Sequence, residues 1–384
     1  MAQKVLISAG EASGDLYAAG LVEALHRHNP GIEFFGCAGQ RMQQAGVRPV
    51  VDAASIAVVG LVEVLTHIPR VYREYRKLVR AAQQERPDIA ILTDSPDFHL
   101  RLARRLKALG IPVIYLVAPQ VWAWRKGRLP AMRRTIDQLL CIFPFEPGFF
   151  ASHGIDARYI GHPLTRLVKP SAGREELRRR FEIPDSAPLV ALLPGSRKGE
   201  IDRHLPALLE TVRQIEQSNQ KVTARFILAV PPGVLGSNFR ERISESSIQV
   251  LEGRTWDVLA CADLALAASG TVTIEATLLG TPMVTFYRVN RLSWLMGKLL
   301  VRVPFYSMVN LVAGRRIVPE LIQSDMTAPR LAQEALSLLG DGSAREAMRD
   351  DLRSVAQKLA GPEDPLEVAA RMVAKHLKEE MVHA

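Results

Sequence analysis

Cysteine is scarce: Cys37, Cys141 and Cys261 are widely spaced and form no CxxC pair. Neither a disulfide framework nor a zinc knuckle is expected, and a reducing compartment fits. Long apolar runs are missing as well. The nearest, 111–124, is interrupted by Pro112 and Pro119 and falls short of the roughly 18 to 20 apolar residues that cross a bilayer. The chain opens on the strand-like run Lys4–Ser8 without an apolar leader core, so export is not expected. No DxD-like acidic pair, HxxxH or HExxH pattern occurs, and the nine histidines are scattered; a catalytic metal is not expected. The P-loop pattern GxxxxGK[ST] is absent too, as are internal repeats of 20 to 50 residues and low-complexity tracts.

What is present is a globular composition: 384 residues, 48% hydrophobic and 23% charged, with a formal charge of +9. That length suits two domains, each burying its own core. The charge favours an anionic partner without choosing among nucleic acid, lipid and phosphorylated substrate. Short β-branched runs at Lys4–Ser8, 32–36, Ile89–Thr93, 112–117 and 138–143 alternate with amphipathic stretches, the pattern of a helix-covered parallel sheet. A polar break, Lys169-Pro170-Ser171-Ala172-Gly173, precedes a second series at Leu189–Leu193, Arg225–Val230, 248–251, 263–267 and Met283–Tyr287. The expected organisation is an α/β chain of two facing Rossmann-like domains, 1–168 and 169–344, with 345–384 packing back on the first. Ligands are then expected at carboxyl strand ends, in a crevice between the domains. The segment 364–378 reads as one helix with Leu366, Ala370, Val373 and Leu377 on one face.

The segment Leu192-Leu193-Pro194-Gly195-Ser196-Arg197-Lys198-Gly199-Glu200-Ile201 reads as a strand, a small-residue loop and a helix start. Helix-start amides, the positive dipole end and a planar arginine fork suit a diphosphate; a plain βα turn with a surface arginine has the same pattern. A second turn, Ala268-Ser269-Gly270-Thr271-Val272-Thr273-Ile274-Glu275-Ala276, offers hydroxyls beside Gly270. Glu275 lies one turn beyond Thr271 on the same face, where a carboxylate accepts from ribose hydroxyls. Capping by Ser269 or Thr271, with an exposed glutamate, is the competing reading. Two such turns without a P-loop favour a nucleotide held as a leaving group.

In the first half, Ala9-Gly10-Glu11-Ala12-Ser13-Gly14-Asp15 is another glycine turn from strand to helix. It lacks the GxGxxG spacing, and its two carboxylates suit a neutral, hydroxyl-rich ligand better than a phosphate. After Ile89–Thr93, Asp94-Ser95-Pro96-Asp97-Phe98 sets two carboxylates at a strand end. Sugar transfer from a nucleoside diphosphate needs a base for the acceptor hydroxyl and support for the departing charge. Asp97 is expected to cap the next helix, which leaves Asp94 as the freer candidate for the base. The segment 61–80 sets Leu61, Val64, Leu65, Ile68, Val71, Tyr72 and Tyr75 near helical spacing, beside Arg70, Arg73, Arg76, Lys77 and Arg80. Such a face suits anionic lipid, although most amphipathic helices cover a core. The segment 293–306, with Trp294, Leu295, Lys298, Leu299 and Arg302, is a second interfacial candidate.

Taken in order, 9–15, 94–98, Pro119-Gln120-Val121-Trp122-Ala123-Trp124-Arg125, Phe145-Glu146, Gly161-His162-Pro163, 194–197, 269–275 and Asn310 are similar to motifs of the lipid A disaccharide synthase family. The resemblance covers essentially the whole chain; Asp-Ser-Pro-Asp stands where an alanine is also common in the family. It implies a GT-B type fold with the C-terminal helix on the first domain. The implied reaction is an inverting, metal- and cofactor-independent transfer from UDP-2,3-diacylglucosamine to 2,3-diacylglucosamine 1-phosphate, giving a β-1′,6 disaccharide and UDP. By that resemblance Asp94 activates the acceptor 6-hydroxyl. Ser196, Arg197, Ser269 and Thr271, with Gly270 in the same turn, hold the diphosphate, and Glu275 the ribose. Asn310 and Gln323 lie near the donor, while Gly10, Glu11, Ser13 and Gly14 line the acceptor side. The implied location is cytoplasmic, peripheral to the inner membrane, and nucleic acid is not an expected partner.

Two rivals stand beside this reading. A UDP-N-acetylglucosamine 2-epimerase shares the architecture, and one scaffold hosts many reactions; the segment 61–80 and Trp122-Ala123-Trp124 favour the lipid acceptor. A nucleic-acid module is suggested only by the charge and by Arg125-Lys126-Gly127-Arg128 and Arg178-Arg179-Arg180, without any recognition motif.

Overall fold

The computed structural model describes residues 3–56, 61–218, 223–235, 241, 243, 246–290, 294, 297, 301 and 303–383, the side chains of 61–68 and 378–383 excepted. The chain forms two units, Met1–Leu167 with Leu359–Ala384, and Val168–Lys358. The chain thus returns to the first unit at Leu359, not near 345, because the helix Gly342–Ala360 belongs almost wholly to the second unit.

The first unit holds β1 (Lys4–Ser8), β2 (Glu33–Ala38), β3 (Arg48–Asp52), β4 (Ile89–Thr93), β5 (Val113–Leu116), β6 (Gln138–Cys141) and β7 (Ala157–Tyr159), in the order β3-β2-β1-β4-β5-β6-β7. Its helices are α1 (Ala12–His28), α2 (Gln40–Gln44), α3 (Leu61–Glu85), α4 (Pro96–Lys107), α5 (Leu129–Thr135), α6 (Glu146–Ala151) and α7 (Leu164–Leu167). All the pairings are parallel, with Val5 opposite Ile89 and Leu6 opposite Phe35. β4, β5 and β6 are buried along their whole length, as expected of strands covered on both faces. Between β1 and β4 the strand order reverses, which leaves a crevice at their carboxyl ends.

The second unit repeats the plan with β8 (Leu189–Leu193), β9 (Arg225–Val230), β10 (Ile248–Glu252), β11 (Leu264–Ala268), β12 (Met283–Tyr287) and β13 (Glu320–Ile322), in the order β10-β9-β8-β11-β12-β13. Its described helices are α8 (Arg174–Arg180), α9 (Lys198–Glu216), α10 (Thr255–Cys261), α11 (Thr271–Leu278), α12 (Met308–Ala313), α13 (Ala328–Gly340) and α14 (Gly342–Ala360). The order reverses between β8 and β11. Both glycine turns of this half, 194–197 and 269–270, therefore leave the strands that flank the switch point.

α15 (Pro365–His383) packs on α1 in the first unit, with Leu366, Ala369, Ala370, Val373 and Leu377 buried. Gly20 permits the approach, since a Cβ there would sit 2.6 Å from Leu366 Cδ1. The strands absent from the sequence reading, β3, β7 and β13, are all sheet edges of three to five residues with at most one buried residue each, so they lack the apolar run that marks an interior strand. The basic run Arg178-Arg179-Arg180 has a structural cause. Arg178 is buried, donates to the carbonyls of Pro184 and Ala187 at 2.7 Å, and pairs with Asp263 at 3.2 Å.

β2 approaches β1 so closely at Gly36 that a Cβ would lie 1.9 Å from the Ile7 carbonyl oxygen, a backbone atom unable to move aside. Gly36→Ala is expected to cost at least about 2 kcal/mol, as overpacking in a rigid core does. A lower urea midpoint than wild type checks this; an unchanged midpoint contradicts the packing.

Candidate functional site

In the first unit the switch point is bridged by one side chain. Asp94, the residue after β4, accepts the Gly10 amide on Oδ1 at 2.8 Å and the Glu11 amide on Oδ2 at 3.1 Å. The carboxylate thus ties the loop after β1 to the loop after β4. Asp94 and Ser95 both have left-handed backbones, φ 55° and 35°, a strained arrangement for residues with side chains. Tyr115 Oη donates to the Asp94 carbonyl at 2.5 Å, and His99 Nδ1 lies 3.0 Å from the same oxygen. A carbonyl only accepts, so His99 Nδ1 carries the proton. Burial pushes the His99 pKa down to about 4; the ring is neutral, and its Nε2 accepts from Ser8 Oγ at 2.7 Å. His99 therefore orients Asp94 without acting as its counter-ion, despite the 3.8 Å between Nδ1 and Oδ1.

Burial first, and then the nearby Glu11 carboxylate, push the Asp94 pKa up to about 8, against the downward pull of the amide hydrogen bonds. Glycine is needed around it. A Cβ on Gly14 would fall 1.7 Å from Asp94 Oδ2, and one on Gly10 would fall 2.5 Å from Ser95 Oγ. Glu11 is the exposed N-cap residue of α1, and Ser13 is half-buried in its first turn. Asp15 is engaged elsewhere: it accepts the Arg41 and Met42 amides at 3.0 and 3.2 Å at the start of α2. The structure corrects the reading of Asp97: it does not cap α4 but pairs with Arg125 at 2.9 Å and with Arg128.

In the second unit the turn after β8 is internally satisfied. Glu200 Oε2 accepts the amides of Ser196 and Arg197 at 3.2 and 3.4 Å, and its Oε1 accepts from Tyr287 Oη at 3.1 Å. Gly195, at φ 125°, leaves the space this carboxylate fills, since a Cβ would lie 2.6 Å from Glu200 Oε2. Ser196 and Arg197 are exposed. His204, its pKa lowered by burial, bridges the Pro194 carbonyl at 2.6 Å and the backbone of Arg288 at 3.1 Å. It joins the loops after β8 and β12.

The turn after β11 is more open. Gly270 is exposed, and a Cβ there would meet nothing within 4 Å. Thr271 is exposed at the first position of α11, where helix geometry supplies no acceptor for the first amides. Glu275 is half-buried one turn on. Ser269 donates its hydroxyl to the Tyr306 carbonyl at 3.1 Å, which leaves only its acceptor side for a ligand.

Asn310 and Gln323 have structural work here. Asn310 is fully buried; its amide donates to Val318 O and Glu320 Oε1, and its oxygen accepts the amides of Ile317 and Val318. That set of bonds leaves no room for a ligand, so Asn310 supports the segment leading to β13. Gln323, at φ 55°, pairs its side chain with both backbone groups of Val289 at 2.7 and 3.2 Å. Of the lipid-facing candidates, Val64, Leu65 and Ile68 have side chains outside the described residues. Val71 is half-buried and Tyr72 is 59% exposed, stacked on Tyr75, which in turn meets Phe98 edge-on. In the segment 293–306, Leu295, Lys298, Leu299 and Arg302 lie outside the described residues, while Trp294 contacts the exposed Tyr306 ring at 5.9 Å. No described helix is long and apolar enough to cross a membrane.

Sequence reasoning missed Tyr115, His99, Glu200, Tyr287 and His204 as supports of these turns. Glu146 was marked only as part of a family motif, without a role; it is fully buried and accepts from Trp122 Nε1 and the Phe143 amide, both at 3.1 Å. Burial raises the Glu146 pKa to about 8.

Among solved structures, the chain resembles the UDP-N-acetylglucosamine 2-epimerase of Neisseria meningitidis with bound UDP-GlcNAc (TM-score 0.64, 13% identity, 98% of this chain and 100% of that one). It resembles the calicheamicin glycosyltransferase CalG4 to a similar degree (TM-score 0.61, 15% identity, 98% and 99%). At those identities the likeness is one of fold, two Rossmann-like domains. In sequence the chain is 57% identical over 380 residues to the lipid-A-disaccharide synthase of Solibacter usitatus, covering 99% of each. It is 41% identical to that of Myxococcus xanthus over 358 residues, 93% of each. The family model described as lipid-A-disaccharide synthetase matches residues 5–370, and the chain belongs to that family.

Proposed function

We propose that this glycosyltransferase moves the 2,3-diacylglucosaminyl group of UDP-2,3-diacylglucosamine to the 6-hydroxyl of 2,3-diacylglucosamine 1-phosphate, with inversion and without a metal. The carrying observation is Asp94, a largely buried carboxylate, 11% exposed in its side chain, with a raised pKa at the first unit's switch point. It takes the proton of the 6-hydroxyl as that oxygen bonds to the anomeric carbon; the bond from that carbon to the diphosphate breaks and UDP leaves with the electron pair. In this reading the second unit binds UDP. The exposed Arg197, the Ser196 hydroxyl and the open turn at Gly270 and Thr271 receive the diphosphate, with Glu275 at the ribose. Asn310 and Gln323 act on the donor through the backbone they hold. Gly10, Glu11, Ser13 and Gly14 form the acceptor side in the first unit.

Both substrates carry acyl chains, so the reaction belongs at a lipid surface. We assign contact with the inner leaflet, from the cytoplasmic side, to the face bearing Val64, Leu65, Ile68, Val71 and Tyr72. The exposed Tyr72 and its basic neighbours Arg73 and Arg76 support this assignment.

Purified protein incubated with donor, with and without acceptor and in the presence of EDTA, is expected to release UDP and form disaccharide only when acceptor is present. UDP-sugar turnover without acceptor, or loss of activity to the chelator, contradicts the proposal. Asp94→Ala is expected to lower kcat at least about 100-fold, the typical contribution of a positioned base, while UDP affinity stays near wild type. The pH profile follows from the direction of the shift. Below about 8 the Asp94 carboxyl is protonated and cannot accept the proton, so kcat/KM falls as pH drops from about 8. A profile flat from pH 6 to 9 would remove Asp94 as the base. Arg197→Ala is expected to weaken UDP binding about tenfold, the size of a lost charge-assisted hydrogen bond; calorimetry showing unchanged affinity would sink the assignment of the donor turn.

A further inference from the structure

Around Asp97 the first unit holds two arginines more firmly than a surface ion pair requires. Arg125 Nη1 lies 2.9 and 3.1 Å from the Asp97 carboxylate oxygens, and Arg128 Nη2 donates to the same carboxylate. Asp97 itself is 71% exposed, so these pairs contribute little to stability. The arginines are fixed by other means. Arg128 is only 15% exposed. Arg125 has a left-handed backbone, φ 59°, and its guanidinium lies 4.3 Å from the centre of the Trp124 ring, with that of Arg128 at 5.8 Å from the same ring. Trp124 is 36% exposed, an aromatic platform open to solvent on a charged surface. The same loop is anchored by the hydrogen bond from Trp122 to the buried Glu146.

The place is as telling as the parts. Asp97 lies in the first turn of α4, three residues after Asp94. The Tyr115 hydroxyl, which donates to the Asp94 carbonyl, lies within the electrostatic reach of Arg128, Asp97 and Glu11 together. Two preset guanidinium forks and one exposed carboxylate make a site of net positive charge, and a phosphate monoester dianion competes there with a single carboxylate that is free to turn into solvent.

The geometry points to Arg125 and Arg128, backed by Trp124, as the subsite for the phosphate monoester of the acceptor sugar, with Asp97 as the resident anion that the phosphate displaces. This rests on the reaction proposed above and adds how the acceptor is chosen: the phosphate anchors the sugar beside Asp94. A free sugar phosphate and a membrane lipid phosphate share this chemistry. The acceptor is the source meant here, and the substrates of the test separate the two.

The test compares 2,3-diacylglucosamine 1-phosphate with its phosphate-free counterpart as acceptors, at saturating donor in the same detergent, using the full chain. Wild type is expected to favour the phosphorylated acceptor in kcat/KM. Arg125→Gln and Arg128→Gln are expected to raise its KM about 10- to 100-fold, to leave the phosphate-free acceptor within about twofold, and to leave UDP affinity unchanged. Arg125 is 41% exposed in its side chain, so its variant carries the test even if Arg128→Gln folds poorly. Asp97→Asn, which removes only the resident charge, is expected to keep the preference and lower the KM. A preference that survives Arg125→Gln, equal losses on both acceptors, or a wild type indifferent to the phosphate each overturns the subsite. If wild type forms disaccharide from neither acceptor, the reaction itself is wrong, and the subsite with it.

Discussion

The Asp94 carboxylate joins two strand ends by accepting the amides of Gly10 and Glu11, and most of what surrounds it exists to make that possible. Asp94 and Ser95 sit in left-handed conformations that side-chain-bearing residues avoid. Tyr115 and His99 hold the Asp94 carbonyl in place, and His99 is in turn held by Ser8 at the end of β1. The contact also needs bare backbone opposite: Gly14 faces the carboxylate at a distance no side chain tolerates. Two effects then oppose each other. The amide bonds favour the charged form, while burial and the charge of Glu11 disfavour it; the net rise to about 8 shows that burial wins. A carboxyl in that range takes up and gives back protons readily near neutral pH, which a solvated aspartate does not.

The second unit uses the same strand-turn-helix plan with the opposite charge logic. Its first turn points amides at an anion, but the anion present is its own Glu200, held also by Tyr287. That carboxylate keeps the loop in shape, since amides left unpaired would otherwise open it toward water. Any diphosphate bound there either shares these amides or relies on Arg197 and on the second turn, where Gly270 leaves open space. His204 makes the two loops one body by bonding to the backbone after β8 and after β12. Gln323 does the same between Val289 and the end of β13. The supports are thus distributed over strands far apart in sequence.

That distribution explains how much of the protein was legible in advance. The alternation of short apolar runs with amphipathic helices revealed both parallel sheets, and the turns that leave the switch-point strands stood out by their glycines. The edge strands did not, because β7 and β13 have three residues each and little apolar pattern. Asp97 was misread because helix-start position alone suggests a cap, whereas its partners Arg125 and Arg128 come from a loop some thirty residues away. Glu146 and Trp122 form a pair that no local rule connects. Asn310 and Gln323 are in the same class: resemblance marked them as belonging near the donor, while the bonds of their side chains run largely to backbone.

Fold likeness alone does not choose among sugar-nucleotide enzymes, since epimerases and glycosyltransferases share this architecture at comparable TM-scores. What separates them is the demand each reaction makes of its second substrate. An epimerase handles one nucleotide sugar and needs no base aimed at a foreign hydroxyl and no subsite for another molecule's phosphate. This chain commits a strained turn, two glycines and two orienting side chains to a single carboxylate, and pairs Asp97, three residues further on, with two arginines that lie against an exposed tryptophan. In the reaction proposed above, the first feature serves to deprotonate one hydroxyl of the acceptor and the second to hold its phosphate.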